Sequence, residues 1–109
     1  LVQGWNKFAK NLFVWEYGIT YETDGKGLGC PFPSEPYIFE KFRFYADNGV
    51  TGFFLEHEHP ECADMYELKY RLECKAMEDP YQDPKPLVAD FMSRYYGAAA
   101  GKVLEAYSK

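Results

Sequence analysis

This sequence has few of the features that mark membrane or nucleic-acid-binding proteins. No uninterrupted apolar run approaches the roughly 18 residues that a transmembrane helix needs. Basic residues number 12 against 17 acidic ones, giving a net charge of -5, whereas domains that bind nucleic acid carry basic patches. We therefore expect neither a membrane nor a nucleic acid as a partner.

The cysteines are few, and their positions indicate neither a disulfide framework nor a zinc site. The three cysteines, Cys30, Cys62 and Cys74, are an odd number and form no CxxC pair. The HExxH pattern of zinc hydrolases is absent too. We interpret the cysteines as free thiols that behave as small apolar residues, and we expect no cofactor.

Aromatic residues, in contrast, are abundant. Ten Tyr, nine Phe and two Trp make up 19% of the 109 residues, and 47% of the chain is hydrophobic. This composition supports a packed core and argues against disorder. Aromatic side chains also form flat surfaces suited to sugars, although we expect most of them in the core.

Two short segments predict buried parallel strands. Asn11–Tyr17 and Val50–Leu55 are apolar at both odd and even positions, which is typical of strands covered on both faces. Between them, a loop from Gly18 leads to Ser34, which can cap a helix that ends at Asn48–Gly49. The apolar stripe of this helix comprises Ile38, Phe39, Phe42, Tyr45 and Ala46. Residues 11–55 therefore predict one β-loop-α-β unit with a right-handed crossover.

Three further helices are predicted after the second strand. One covers about residues 64–77, one begins at Asp83–Pro84 and ends at Gly97, and one covers Ala98–Tyr107. Two parallel strands do not form a stable sheet alone, but they fit the C-terminal portion of a (βα)8 barrel. We therefore predict an α/β fold in which residues 1–78 are the last units of a TIM-type barrel. Residues 79–109 would form a C-terminal helical extension packed on it, and the remainder of the barrel, or self-association, would cover the strands.

Candidate site residues stand at the carboxyl ends of both strands. They are Trp15, Glu16, Tyr17, Glu56, His57 and Glu58. Barrels hold their binding and catalytic groups at this edge. Because successive residues of a strand alternate between faces, Trp15 and Glu16 point in opposite directions. Glu56 shares the parity of Gly52, so we expect its carboxylate on the inward face, where it can accept hydrogen bonds from ligand hydroxyls.

Two alternative uses of these residues stay open. Glu16 and Glu56 end adjacent strands, and glycosidases use two carboxylates about 5–5.5 Å apart when retaining or 6.5–9.5 Å apart when inverting. A metal-dependent hydrolase is the other alternative, with ligands from the segment 56–62, which is rich in carboxylate, imidazole and thiol groups. Neighbours along a strand do not converge on one ion unless the chain turns at once, which Pro60 can cause.

Four segments resemble one family of bacterial proteins. They are Phe13–Tyr17, Pro31–Pro33, Asn48–Phe53 and Tyr95–Ala99. In their order and spacing they resemble the C-terminal part of proteins with the domain of unknown function 4838. Members are large, often secreted proteins with a glycoside-hydrolase-like barrel related to those of β-hexosaminidases and α-glucuronidases. Where the family often has Asp-Tyr after the Trp, this chain has Glu16-Tyr17.

The resemblance implies a function in carbohydrate recognition. The two strands would be the seventh and eighth of the barrel, with the acid/base carboxylates on an earlier strand. Glu56 would bind a sugar, and Trp15 or Tyr17 would form a wall of the site. The expected protein is a glycoside hydrolase, secreted, periplasmic or on the cell surface, whose isolated C-terminal piece is inactive. A non-catalytic glycan-binding or assembly module is the alternative.

Overall fold

The computed structural model describes residues 1–17, 34–56 and 65–107. The predicted loop over residues 18–33 lies outside the described residues, as does the segment 57–64. The elements are α1 (Val2–Trp5), β1 (Leu12–Tyr17), α2 (Glu35–Asp47), β2 (Val50–Glu56), α3 (Tyr66–Glu78), α4 (Pro84–Tyr96), a 3-10 turn (Gly97–Ala99) and α5 (Ala100–Tyr107).

The two strands form a parallel sheet, as the sequence predicts. Leu12 pairs with Val50, and the pairs then run from Phe13 opposite Gly52 to Tyr17 opposite Glu56. The register shifts after the first pair. The β-α-β unit and the α/β class are therefore confirmed over the described residues.

Helix α2 packs against one face of this sheet. The ring centroid of Phe53 lies 4.7 Å from that of Phe42 and 5.2 Å from that of Tyr45. On β1, Leu12, Val14 and Glu16 are half-buried, whereas the residues between them are exposed. The prediction that both faces of β1 are buried is therefore wrong for the structure as described, because α2 covers only one of them.

The hydrophobic core lies between three helices. Its fully buried residues come from α2, α3 and α4: Ile38, Phe39, Phe42, Leu68, Leu72, Ala76 and Met92. The predicted α2 stripe supplies three of these, while Tyr45 is half-buried and Ala46 is exposed. The division into residues 1–78 and 79–109 stays a prediction, and Met92 of the second range packs in the same core as the first.

Local sequence signals mark the helix ends. The Asp83 side chain accepts a 3.0 Å hydrogen bond from the backbone N–H of Lys85, with Pro84 as the first residue of α4. Gly97 closes α4 with a φ of 53°, and Gly49 follows α2 with a φ of 79°. These left-handed conformations are ones that glycine adopts at little cost.

A buried ion pair joins α2 to α3. Lys69 Nζ lies 3.8 Å from Glu35 Oε1, and both side chains are almost fully removed from solvent. Burying one of these charges without the other would be costly, so the pair fixes how the first turn of α2 sits against α3. None of the described helices is long and apolar enough to cross a membrane.

Candidate functional site

The face of the sheet opposite α2 carries the candidate site, and we call it the open face. It is formed by alternate residues of both strands: Phe13, Trp15, Tyr17, Gly52, Phe54 and Glu56. Trp15 is 63% exposed and Phe54 is 56% exposed, so large apolar surfaces face outward here. Among the described residues, this face is therefore an exposed aromatic surface with a carboxylate at its edge, a kind of patch that marks an interaction surface or a ligand-binding groove.

Trp15 and Glu56 are in direct contact on the open face. The indole N–H of Trp15 donates a 2.9 Å hydrogen bond to Oε2 of Glu56. The bond joins the carboxyl-terminal ends of β1 and β2, because Glu56 is the last residue of its strand. The carboxylate is thereby fixed beside an exposed aromatic ring.

Other aromatic rings hold the indole in place. Phe54 meets Trp15 edge-on, with centroids 4.8 Å apart and an interplanar angle of 63°. The ring of Tyr17, two residues further along β1, has its centroid 6.4 Å from that of Trp15 at an interplanar angle of 30°. Edge-to-face and offset contacts of this kind are favourable, so both neighbouring rings restrict the indole of Trp15.

Gly52 makes room for a further ring. A Cβ atom at this position would overlap Cδ1 and Cε1 of Phe13, whose side chain lies across β2 at this point. A larger residue would force that ring to move. Glycine therefore allows the aromatic surface to extend from Trp15 towards the amino-terminal end of the sheet.

Glu16 lies on the opposite face, towards α2. Its Oε2 accepts a 2.8 Å hydrogen bond from the hydroxyl of Tyr45, and its Oε1 lies 4.0 Å from Nζ of Lys41. Burial, together with the hydrogen bond to Glu16, raises the pKa of Tyr45 to about 12. Glu16 therefore ties β1 to α2.

The structure brings together three of the predicted site residues: Trp15, Tyr17 and Glu56. It does not bring Glu16 and Glu56 together, since their side chains are on different faces of the sheet. His57 and Glu58 lie outside the described residues. A catalytic pair of Glu16 and Glu56 has no support in this arrangement.

The metal alternative rests on a segment that the structure does not describe. Within residues 1–17, 34–56 and 65–107, no group of three or more His, Cys, Asp or Glu side chains is arranged to hold a metal ion. The ligands predicted after Glu56 fall within residues 57–62. The metal-dependent hydrolase therefore stays a prediction.

Phe13 and Phe54 were not among the residues predicted for the site. The signal for them was present, because Phe13 shares the parity of Trp15, and Phe54 shares that of Glu56. An apolar side chain in a strand is more often core than site, so parity alone did not single out these two residues.

Comparison with known proteins identifies the family of this chain. No match was found among the curated proteins or among the solved structures. The family described as Domain of unknown function (DUF4838) matches residues 1–109 of the chain. The chain belongs to the DUF4838 family.

Proposed function

We propose that this chain forms one wall of a carbohydrate-binding site in a glycoside-hydrolase-like barrel. The observation that carries the proposal is the exposed indole of Trp15 hydrogen-bonded to the Glu56 carboxylate at the carboxyl ends of two parallel strands. Aromatic rings offer a flat apolar surface to the C–H groups of a sugar ring. The carboxylate beside it accepts hydrogen bonds from hydroxyl groups.

The arrangement of the sheet supports a place in a (βα)8 barrel. In such barrels the helices cover the outer side of the strands, and ligands bind at the carboxyl-terminal edge. Here α2 lies on one side, and the open face carries the candidate site on the other. A two-stranded parallel sheet needs further strands or another cover, which the remainder of the barrel or a second copy would supply.

Binding to an immobilised glycan array tests the proposal, with the intact protein that contains this chain. The array would display neutral hexose oligomers, N-acetylhexosamine oligomers and uronic acid oligomers. Trp15→Ala is expected to weaken binding of the preferred glycan at least tenfold, because it removes the stacking ring and the donor to Glu56. Trp5→Ala is the matched control, since Trp5 is 59% exposed on α1, outside the open face.

The two variants separate the possible outcomes. Equal losses for both tryptophans, or unchanged binding in Trp15→Ala, would mean that the open face is not the sugar site. If the wild-type protein bound none of the glycans on the array, the carbohydrate proposal itself would fail.

Turnover of chromogenic aryl glycosides distinguishes a hydrolase from a binding module. We expect the acid/base carboxylates on an earlier strand, so Glu56→Gln should raise KM while leaving a measurable kcat. A loss of kcat by several orders of magnitude would instead make Glu56 a catalytic residue. Glycan binding without turnover of any aryl glycoside would favour the non-catalytic module.

A further inference from the structure

The hydrogen bond between Trp15 and Glu56 holds the carboxylate in one orientation on the open face. A carboxylate at the end of a strand can rotate about three side-chain bonds, and fixing it in advance lowers the entropy lost when a ligand binds. The indole N–H is a single donor, so it occupies Oε2 alone. Within the part of the chain that the structure describes, the indole is the one side-chain donor to Glu56, and Oε1 can accept a hydrogen bond from a ligand.

The indole can act in this way because it is itself held. Phe54 contacts its ring edge-on, and the ring centroid of Tyr17 lies 6.4 Å away. Both neighbours come from the strands of the sheet, where backbone pairing fixes their positions. The N–H therefore points at Glu56 before any ligand arrives.

The charge on this face bears on which sugar is accepted. Among the described residues of the open face, Glu56 carries the one ionisable carboxylate, and Trp15 donates to it without a positive charge. Lys41, whose Nζ lies 4.0 Å from Oε1 of Glu16, is on the α2 side of the sheet. An uncharged sugar hydroxyl would meet an acceptor here, whereas a sugar carboxylate would meet a like charge.

We propose, building on the carbohydrate function above, that Trp15 positions Glu56 and that the pair selects uncharged sugars over uronic acids. Trp15 is then a positioning and specificity residue. Its indole N–H, which holds Glu56, and its ring, which stacks on the sugar, make separate contributions to binding. A substitution by alanine would remove both at once.

The positioning role is tested without any ligand, in the intact protein labelled with ¹⁵N at the indole nitrogens. Glu56→Leu removes the acceptor and is expected to move the indole N–H resonance of Trp15 upfield, while Glu56→Gln, which keeps an acceptor oxygen, moves it less. Trp15→Phe assigns the resonance, and the indole of Trp5 serves as the internal reference. A Trp15 resonance that does not respond to Glu56→Leu would overturn the positioning role.

The selectivity is tested by comparing neutral and uronic acid oligomers of equal length. Trp15→Phe keeps a ring but loses the donor, and we expect it to weaken binding of the neutral oligomer about five- to tenfold. In the Glu56→Leu background the same change should have little further effect, because two residues that act through one contact are not additive. If the effects of Trp15→Phe and Glu56→Leu on binding were fully additive, Trp15 would contribute only its ring to the site and would not position Glu56.

Glu56→Gln tests whether the negative charge of Glu56 causes the preference for neutral sugars. Removing the charge while keeping an acceptor should reduce the preference for the neutral oligomer at least fivefold, and a preference that survives unchanged would overturn the selectivity. Failure of the wild-type protein to bind any oligomer would overturn both the carbohydrate function and the selectivity. The positioning role is tested separately, by the response of the indole N–H resonance of Trp15 to Glu56→Leu.

Discussion

The hydroxyl of Tyr45 on α2 donates a 2.8 Å hydrogen bond to Glu16 on β1, on the side of the sheet away from Trp15. This contact gives Glu16 a structural task, since its carboxylate is held between the sheet and the helix with Lys41 at 4.0 Å. Glu56, with opposite orientation, is the strand-end carboxylate of the open face. The two carboxylates therefore lie on opposite faces of the sheet, although both are near the carboxyl ends of neighbouring strands.

Removing the Tyr45 hydroxyl should destabilise the protein modestly. We expect Tyr45→Phe to lower the free energy of unfolding by about 1 kcal/mol, because the ring packing is kept and one hydrogen bond to a carboxylate is lost. Urea unfolding measures the change. Tyr37→Phe is the matched control on the same helix, since Tyr37 is 66% exposed, and it should change stability by less than about 0.5 kcal/mol. Equal effects of the two substitutions would contradict the role given to the Tyr45–Glu16 contact.

Because of Tyr45, the stability of the folded protein should fall as the pH rises in the alkaline range. The pKa of Tyr45 is about 12 in the folded protein, against about 10 in an unfolded chain. A group whose pKa is raised by folding contributes its full stabilisation below the unfolded value, here about pH 10, and loses it as pH rises through the folded value. The hydrogen bond from Tyr81 to Asp47 and that from Tyr95 to Glu67 also raise the pKa of these tyrosines.

The measurement is therefore a difference between two proteins. Urea midpoints of wild type and Tyr45→Phe, taken from pH 8 to pH 12, should converge above pH 10, because only the wild type loses the contribution of Tyr45. If the two urea midpoints instead differed by a constant amount over this range, folding would not raise the pKa of Tyr45.

The core between α2 and α3 should be sensitive to loss of volume. Leu72 is fully buried among the helices, so Leu72→Ala should lower the free energy of unfolding by about 2–5 kcal/mol through lost burial and a cavity. Met77 on the same helix is 42% exposed, and Met77→Ala should cost far less. Circular dichroism during urea unfolding measures both. A cost for Leu72→Ala as small as that of the control would place α3 differently from the structure described here.

Much of the local structure could be predicted because single residues determine it. Asp83–Pro84 begins α4 and Gly97 ends it, since capping oxygens, fixed φ angles and left-handed conformations belong to those residue types. The parallel strands followed from apolar runs flanking a helix. These signals act over a few residues, so no knowledge of the tertiary structure is needed.

The parts that could not be predicted depend on contacts between distant segments. Strand parity separates Trp15 from Glu16, but it does not tell which of them faces α2. The contact of Trp15 with Glu56 depends on the register between β1 and β2, and a shift of one residue would turn Glu56 to the other face. The buried pair of Glu35 and Lys69 likewise depends on how α3 docks on α2, which no local pattern encodes.

Gly49 should be the least replaceable of the described glycines that follow a helix. Its φ of 79° is unfavourable for residues with a side chain, and a Cβ would overlap the side chain of Asn6. We expect Gly49→Ala to lower the free energy of unfolding by about 1–2 kcal/mol. Gly101, near the start of α5, has nothing within 4 Å of its Cβ position, so Gly101→Ala should be neutral or slightly stabilising.

A second variant separates backbone strain from the steric overlap at Gly49. Asn6→Ala removes the side chain that a new Cβ would meet, but it leaves the left-handed backbone unchanged. If strain dominates, Gly49→Ala should cost the same in the Asn6→Ala background as in the wild type, because the φ angle is still the one that alanine disfavours. A cost that disappears in that background would assign the whole effect to the contact with Asn6, and the turn between α2 and β2 would then tolerate a side chain once space is available.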